Sequence, residues 1–117
     1  MVNLDDLKNV NDVKGHLAGD RLLQRTAQIL NESFRGDDII ARIGGDEFAA
    51  LLPNTDEKAT LEALDRVREI VQKNNAAEKG PILSISLGVS TAVKGMGLRE
   101  TLQQADKNMY QEKSKKK

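Results

Sequence analysis

Arg42-Ile43-Gly44-Gly45-Asp46-Glu47-Phe48 stands between two apolar runs, and the rest of the chain is read around it. Asp38 to Ile43 reads as a short β-branched strand, Gly44-Gly45 as a tight-turn signal, and Phe48-Ala49-Ala50-Leu51-Leu52 as the returning strand, ended by Pro53. Gly44 and Gly45 carry no side chains to obstruct a ligand, so the backbone can approach one closely. Successive residues of a strand point to opposite faces, so Asp46 and Glu47 are not expected to share one job. One suits a metal while the other faces a reacting group. On turn chemistry alone, an ordinary hairpin with two solvated acids is the alternative, and at this point it stays open.

Upstream, Met1-Val2-Asn3-Leu4-Asp5 reads as a strand that begins abruptly, followed by a polar stretch, Lys8 to Asp12, that ends in Gly15-His16. A helix is predicted from about Ala18 to Ser33, with Leu23, Ala27, Leu30 and Phe34 on one face, stopped by Gly36. Downstream, Asn54 and Glu57 read as a capping box opening a second helix whose apolar face is Leu61, Leu64, Val67 and Val71. Asn74 to Gly80 is polar and is expected to break it. Ile82 to Ser90 alternates: Leu83, Ile85, Leu87 and Val89 share one face, Ser84, Ser86, Gly88 and Ser90 the other. After a loop with Gly95 and Gly97, a last helix carries Leu98, Leu102, Ala105 and Met109 on one side and ends in a basic tail, Lys113 to Lys117. Strands alternating with helices around one hairpin predict an α/β fold, a central mixed β-sheet flanked by helices.

At 117 residues the chain is expected to form a single domain, 1–117. Eighteen Lys and Arg balance eighteen Asp and Glu, so the formal net charge is zero, which argues against a general nucleic-acid binder. Hydrophobic residues at 38% and charged residues at 31% make it polar without the profile of a disordered chain. There is no Cys, which excludes a disulfide framework, a zinc ribbon and thiol chemistry. No apolar run approaches the ~18–20 residues of a membrane span, and a soluble cytoplasmic domain is the expectation. Aromatics are 3% with no Trp, so the core is aliphatic and base-stacking platforms are nearly excluded.

Gly44-Gly45-Asp46-Glu47-Phe48 resembles the signature of GGDEF domains, the diguanylate cyclases, and four further segments match in order and spacing. Leu4 to Asp12 resembles the family's D-x-D-x-F-K-x-x-N-D stretch, and Gly15-His16-Leu17-Ala18-Gly19-Asp20 its G-H-x-x-G-D. Leu83 to Val89 is similar to its S-I-G-V strand, and Ala105-Asp106 with Met109-Tyr110 and Lys113 to its A-D-x-A-L-Y-x-A-K helix. The resemblance covers nearly the whole chain.

It implies a nucleotide-cyclase-like fold and an enzyme, a nucleotidyltransferase that joins two GTP into cyclic di-GMP and releases two pyrophosphates. The 3′-hydroxyl of one GTP attacks the α-phosphate of the other, with two domains meeting face to face as a homodimer. Such chemistry is positioning plus charge neutralisation by Mg²⁺ or Mn²⁺, which take hard oxygen ligands. Carried over by position, Asp46 is a metal ligand and Glu47 activates the attacking hydroxyl or adds a metal contact. Leu4 lends a backbone carbonyl to the metal and Asn3 stands at a further ligand position. Gly44 and Gly45 sit against the nucleotide, Asn11 and Asp20 read guanine, and Lys113 contacts the terminal phosphates. Lys117 replaces the family's later arginine, keeping the charge without the bidentate fork. Arg35 and Asp38 fall at the spacing of an inhibitory R-x-x-D site for the product, with Arg66 as a helper arginine. The sole histidine, His16, is expected to be structural.

Two departures bear on activity. The family places an Asp at the position of Asn3, and an amide oxygen is neutral and a weaker ligand. Asp5 and Asp6 are the nearby acids that could compensate, Asp6 alternating to the wrong face. The helix and strand start that precede this region in the family are absent, so the chain is expected to be truncated at its N-terminus, its core and triphosphate pocket open. The alternative function is therefore a catalytically degenerate GGDEF module that binds GTP or cyclic di-GMP as a regulatory receptor.

Overall fold

Short apolar strands that bury one face must be covered by amphipathic helices, and here two long helices each connect one strand to another while a third follows the last of the described strands. A computed structural model describes residues 1–77 and 80–116. In chain order the elements are β1 (Val2–Leu4), α1 (Leu7–Lys14), α2 (His16–Ser33), β2 (Ile39–Arg42), β3 (Glu47–Leu51), α3 (Glu57–Ala77), β4 (Ile85–Leu87) and α4 (Leu98–Lys115).

The four strands form one sheet in the order β2-β3-β1-β4. The sequence predicts a sheet of mixed direction; every pairing among the described strands is antiparallel. The reason is topological. Each helical crossover returns the chain parallel to the strand it left, but the other unit's strand inserts between the two, so every neighbour runs antiparallel: a split βαβ arrangement. The fold class itself, a central sheet flanked by helices, is as expected.

Alternation assigns the two faces. Val2, Leu4, Phe48, Ile85 and Leu87 share a buried cluster with Leu22, Ile29 and Leu30 of α2 and Val67 and Val71 of α3. Asn3, Glu47 and Ser86 lie in one cross-strand row on the opposite face. α4 covers that face. A Cβ on Gly88 would stand 2.1 Å from the backbone nitrogen of Met109 and 2.2 Å from the carbonyl oxygen of Ala105, so the small face of β4 seats the helix backbone directly.

Several predicted boundaries shift for identifiable reasons. The polar stretch 8–12 is helical: α1 buries Leu7 and packs against α2. Gly15, at φ 90, then breaks the chain, and α2 begins at His16, which is exposed rather than packed. The buried stripe of α2 is Gly19, Leu22, Arg25, Thr26, Ile29, Leu30 and Ser33, with Leu23, Ala27 and Phe34 at its margin. Thr26 and Ser33 enter the core because their hydroxyls donate to the carbonyls of Leu22 (2.8 Å) and Ile29 (2.6 Å). Asp56, not Asn54, caps α3, its carboxylate accepting the amide of Ala59 at 2.8 Å.

α3 also runs through Asn74 and Asn75, where a break was expected, because these side chains hold a buried guanidinium. Arg25, 2% exposed, donates to Asn74 Oδ1 (2.8 Å), Asn75 Oδ1 (3.0 Å) and the carbonyl of Pro81 (2.9 Å). Asn75 in turn pairs with both the amide and the carbonyl of Leu83 at 2.8 Å. That network fixes the approach to β4, which is regular only over Ile85–Leu87.

Candidate active site

The hairpin tip spans Ile43 to Asp46, and β3 begins at Glu47, one residue before the expected start. The amides of Ile43 and Gly44 both donate to the Glu47 carbonyl, at 3.0 and 3.4 Å. The Arg42 guanidinium closes the tip from the other side, with Nε 3.0 Å from the Gly44 carbonyl and a terminal nitrogen 2.8 Å from that of Gly45. Neither glycine has a positive φ. A Cβ on Gly45 would meet nothing, and one on Gly44 only the Glu47 Cβ at 3.7 Å. Neither turn geometry nor internal packing therefore demands glycine here.

The tip is stitched to the opening strand. The Leu4 amide donates to the Asp46 carbonyl at 2.7 Å, and Asn3 is the cross-strand partner of Glu47. Asp46 and Glu47 are half-buried. Asn3 is 1% exposed, and its Oδ1 has no hydrogen-bond partner. Such a buried acceptor normally pairs with protein, water or an ion. Asp5 is committed elsewhere: its carboxylate accepts from the hydroxyls of Ser84 (3.0 Å) and Ser86 (2.9 Å) and from the Lys116 ammonium (3.0 Å). Asp6, exposed, occupies a left-handed turn at φ 61. Among the described residues, no three His, Cys, Asp or Glu side chains gather as a metal cluster.

α1 and α2 bring the two predicted guanine-reading residues together. A Cβ on Gly19 would fall 1.7 Å from Asn11 Oδ1, so the half-buried carboxamide lies directly on the α2 backbone, one residue before the exposed Asp20. On the other side of β1, α4 delivers Lys113, whose Nζ stands 6.0 Å from the centroid of the Tyr110 ring. The Tyr110 hydroxyl donates to Glu47 Oε1 at 3.2 Å. The adjacent Glu47 charge, then its hydrogen bond, raise the phenol pKa above its ordinary value.

Sequence reasoning missed how α4 is held. Asn108 Nδ2 donates to the Val89 carbonyl (2.7 Å), Glu112 Oε2 accepts the Leu87 amide (2.8 Å), and Lys116 Nζ donates to the Ile85 carbonyl. Steps of four on the helix, about 6.0 Å, match steps of two on the strand, about 6.6 Å. The signal, Asn-x3-Glu-x3-Lys, is present in the chain but carries no meaning until the strand edge is known.

The predicted product-binding trio lies at the C-terminal end of α2. Asp38 accepts the Arg35 amide at 2.8 Å and returns its own amide to the Arg35 carbonyl at 3.0 Å. Arg66 reaches over from α3, with Nε and a terminal nitrogen each 3.3 Å from the Ser33 carbonyl. The Arg35 and Arg66 residues are exposed. Lys117 lies outside the described residues. An apolar cavity of about 520 Å³, lined in part by Phe34, Leu52, Leu64, Leu98 and Leu102, lies away from the acids.

The family model described as "Diguanylate cyclase, GGDEF domain" matches residues 1–117. Diguanylate cyclase A of Treponema denticola is 31% identical over 116 residues, 97% of this chain and 31% of that protein. Diguanylate cyclase DgcP of Pseudomonas aeruginosa is 37% identical over 115 residues, 97% of this chain and 17% of that protein. The chain thus spans under a third of either relative. Among solved structures, the diguanylate cyclase SiaD of Pseudomonas aeruginosa, crystallised with its activator SiaC, superposes with a TM-score of 0.88 at 31% identity, over 97% of this chain and 45% of that one. The GGDEF domain of DgcB from Caulobacter crescentus, in complex with c-di-GMP, gives 0.87 at 23% identity, over 97% and 70%, a likeness of fold alone. With a matched model end to end and the acidic hairpin lying against the opening strand, the chain belongs to the GGDEF family of diguanylate cyclase domains.

Proposed function

We propose that this chain is the catalytic core of a diguanylate cyclase, condensing two GTP into cyclic di-GMP and two pyrophosphates. The observation that carries the reading is the Leu4–Asp46 hydrogen bond with the Asn3–Glu47 pairing, which sets both acids of the tip against β1. The donor set fits Mg²⁺ or Mn²⁺: carboxylates at Asp46 and Glu47, the Leu4 carbonyl, and the unpartnered Oδ1 of Asn3, all hard oxygens. When bound, such an ion neutralises phosphate charge and lowers the cost of attack at the α-phosphate.

The chain's own residues supply the rest. The open side of Gly44 and Gly45 admits the phosphates to the backbone. Asn11 offers an amide and Asp20 a carboxylate to the donors and acceptors of guanine. Lys113 provides charge for the terminal phosphates. Glu47 accepts the proton of the attacking hydroxyl presented by a second domain, so catalysis requires two copies meeting at this face. Arg35, Asp38 and Arg66 form the site at which product binds and inhibits. Among the described residues, no helix is long and apolar enough to cross a membrane. We read the domain as cytoplasmic.

One observation favours the second reading, a degenerate module acting as a receptor for GTP or cyclic di-GMP: Asn3 is neutral, and Asp5 is held by Ser84, Ser86 and Lys116. Incubating the full chain with Mg²⁺ and GTP and chromatographing the products separates the two. Cyclic di-GMP in the products supports the enzyme. No product, with calorimetric binding of cyclic di-GMP that is lost in Arg35→Ala, supports the receptor.

A further inference from the structure

We propose that Tyr110 and Lys116 are positioning residues, and that the C-terminal half of α4 is a strap that sets the geometry of the acids on either side of the site. The inference rests on the reading of Asp46 and Glu47 as the metal- and nucleotide-facing acids. Tyr110 lies within α4 and Lys116 caps its C-terminal end six residues later, about 120° further round the helix, so the two reach different strands. At one end the Tyr110 hydroxyl, 3.2 Å from Glu47 Oε1, engages one carboxylate oxygen and leaves the other outside this contact. At the far end Lys116 holds Asp5 at 3.0 Å, and two serine hydroxyls complete that carboxylate's partners.

The Asp5 side chain is only 10% exposed while that of Lys116 is 37% exposed, so solvent screens the pair from the lysine side and the two serine hydroxyls hold the carboxylate from the other. Asp5 directly follows Leu4, and its amide donates to the Ser84 carbonyl at 2.8 Å. Lys116 therefore pins the exit of β1, the segment that presents the Leu4 carbonyl. The ladder of Asn108, Glu112 and Lys116 along the edge of β4 fixes the sliding register of α4. A one-turn slip would carry Tyr110 off Glu47 and Lys116 off Asp5 together. Neither residue touches the reacting atoms; both act through an acid or a carbonyl that does.

The test compares the full chain with Tyr110→Phe, Lys116→Met, Lys116→Arg and Lys115→Met, measuring kcat and KM for GTP, Mn²⁺ affinity by electron paramagnetic resonance, and thermal melting. Tyr110→Phe and Lys116→Met should each lower kcat, or weaken Mn²⁺ binding where turnover is absent, by about fivefold to tenfold, one hydrogen bond's worth, with KM within about twofold. Lys116→Arg should restore most of the loss, since it keeps the charge at Asp5. Lys115→Met removes the same charge from the neighbouring exposed position and should match the parent. The inference falls if Tyr110→Phe and Lys116→Met match the parent in kcat and Mn²⁺ affinity, or if Lys116→Arg is as impaired as Lys116→Met. A parent chain that neither binds Mn²⁺ nor forms cyclic di-GMP sinks the functional reading itself.

Discussion

At Asn3 the structure leaves an orphaned oxygen, in a side chain 1% exposed and without a partner for its Oδ1. Asn3→Asp places a buried charge in that row beside the half-buried Glu47, which is costly unless a cation meets it. The variant should melt lower than the parent in chelator, gain more in melting temperature on Mn²⁺ addition, and turn over faster; equal Mn²⁺-induced shifts would remove Asn3 from the metal site. Tyr110 gives an optical handle, since it is the single tyrosine. Glu47 raises its pKa, so ultraviolet titration should show a midpoint above the ordinary value of about 10, returning toward it in Glu47→Gln. The sign follows: a raised folded pKa contributes stability below the unfolded value, lost as pH climbs through the folded one, so this contact is intact at neutral pH. The hairpin that carries Gly44 to Glu47 was legible because its signal is contiguous. Lys116 was not, since its carboxylate partner lies 111 residues away.

At the scale of elements, period-two alternation from Leu83 to Val89 revealed both faces of β4, because large aliphatic side chains fill the core on one face while small residues admit α4 on the other. α1 stayed hidden: eight residues, with Leu7 alone buried, leave too little apolar periodicity, and packing on α2 makes the helix. The α2 stripe was misplaced by about one residue because Thr26 and Ser33 look polar yet bond their own helix. Asn74 and Asn75 look like a break and serve as a clamp on Arg25. Gly19→Ala tests the α1–α2 contact. The new Cβ meets the tip of the Asn11 side chain, which can swing aside, and alanine favours the helix by about 1 kcal/mol. Melting should change little while affinity for guanosine nucleotides falls about tenfold. Glu112→Ala leaves the Leu87 amide without its acceptor and should cost about 1–3 kcal/mol in chemical denaturation.

For the whole molecule, the helix-flanked sheet was legible from element order, while strand direction depended on which strand inserts between which, a long-range choice that no local pattern encodes. The acidic tip belongs to one end of the β2–β3 hairpin, and the Arg35–Asp38 turn leads into its other end. β1, three residues long, is the seam of this architecture. Successive amides leave it in opposite directions: Leu4 donates to Asp46 in one half of the sheet, and Asp5 to Ser84 in the other. Occupancy of the cleft must therefore tug on a splice shared by both halves. In hydrogen exchange, the Leu4 and Asp5 amides should slow together when Mn²⁺ and a GTP analogue are added, although neither needs to touch the nucleotide base. Independent responses would mean that the two halves move as separate leaves.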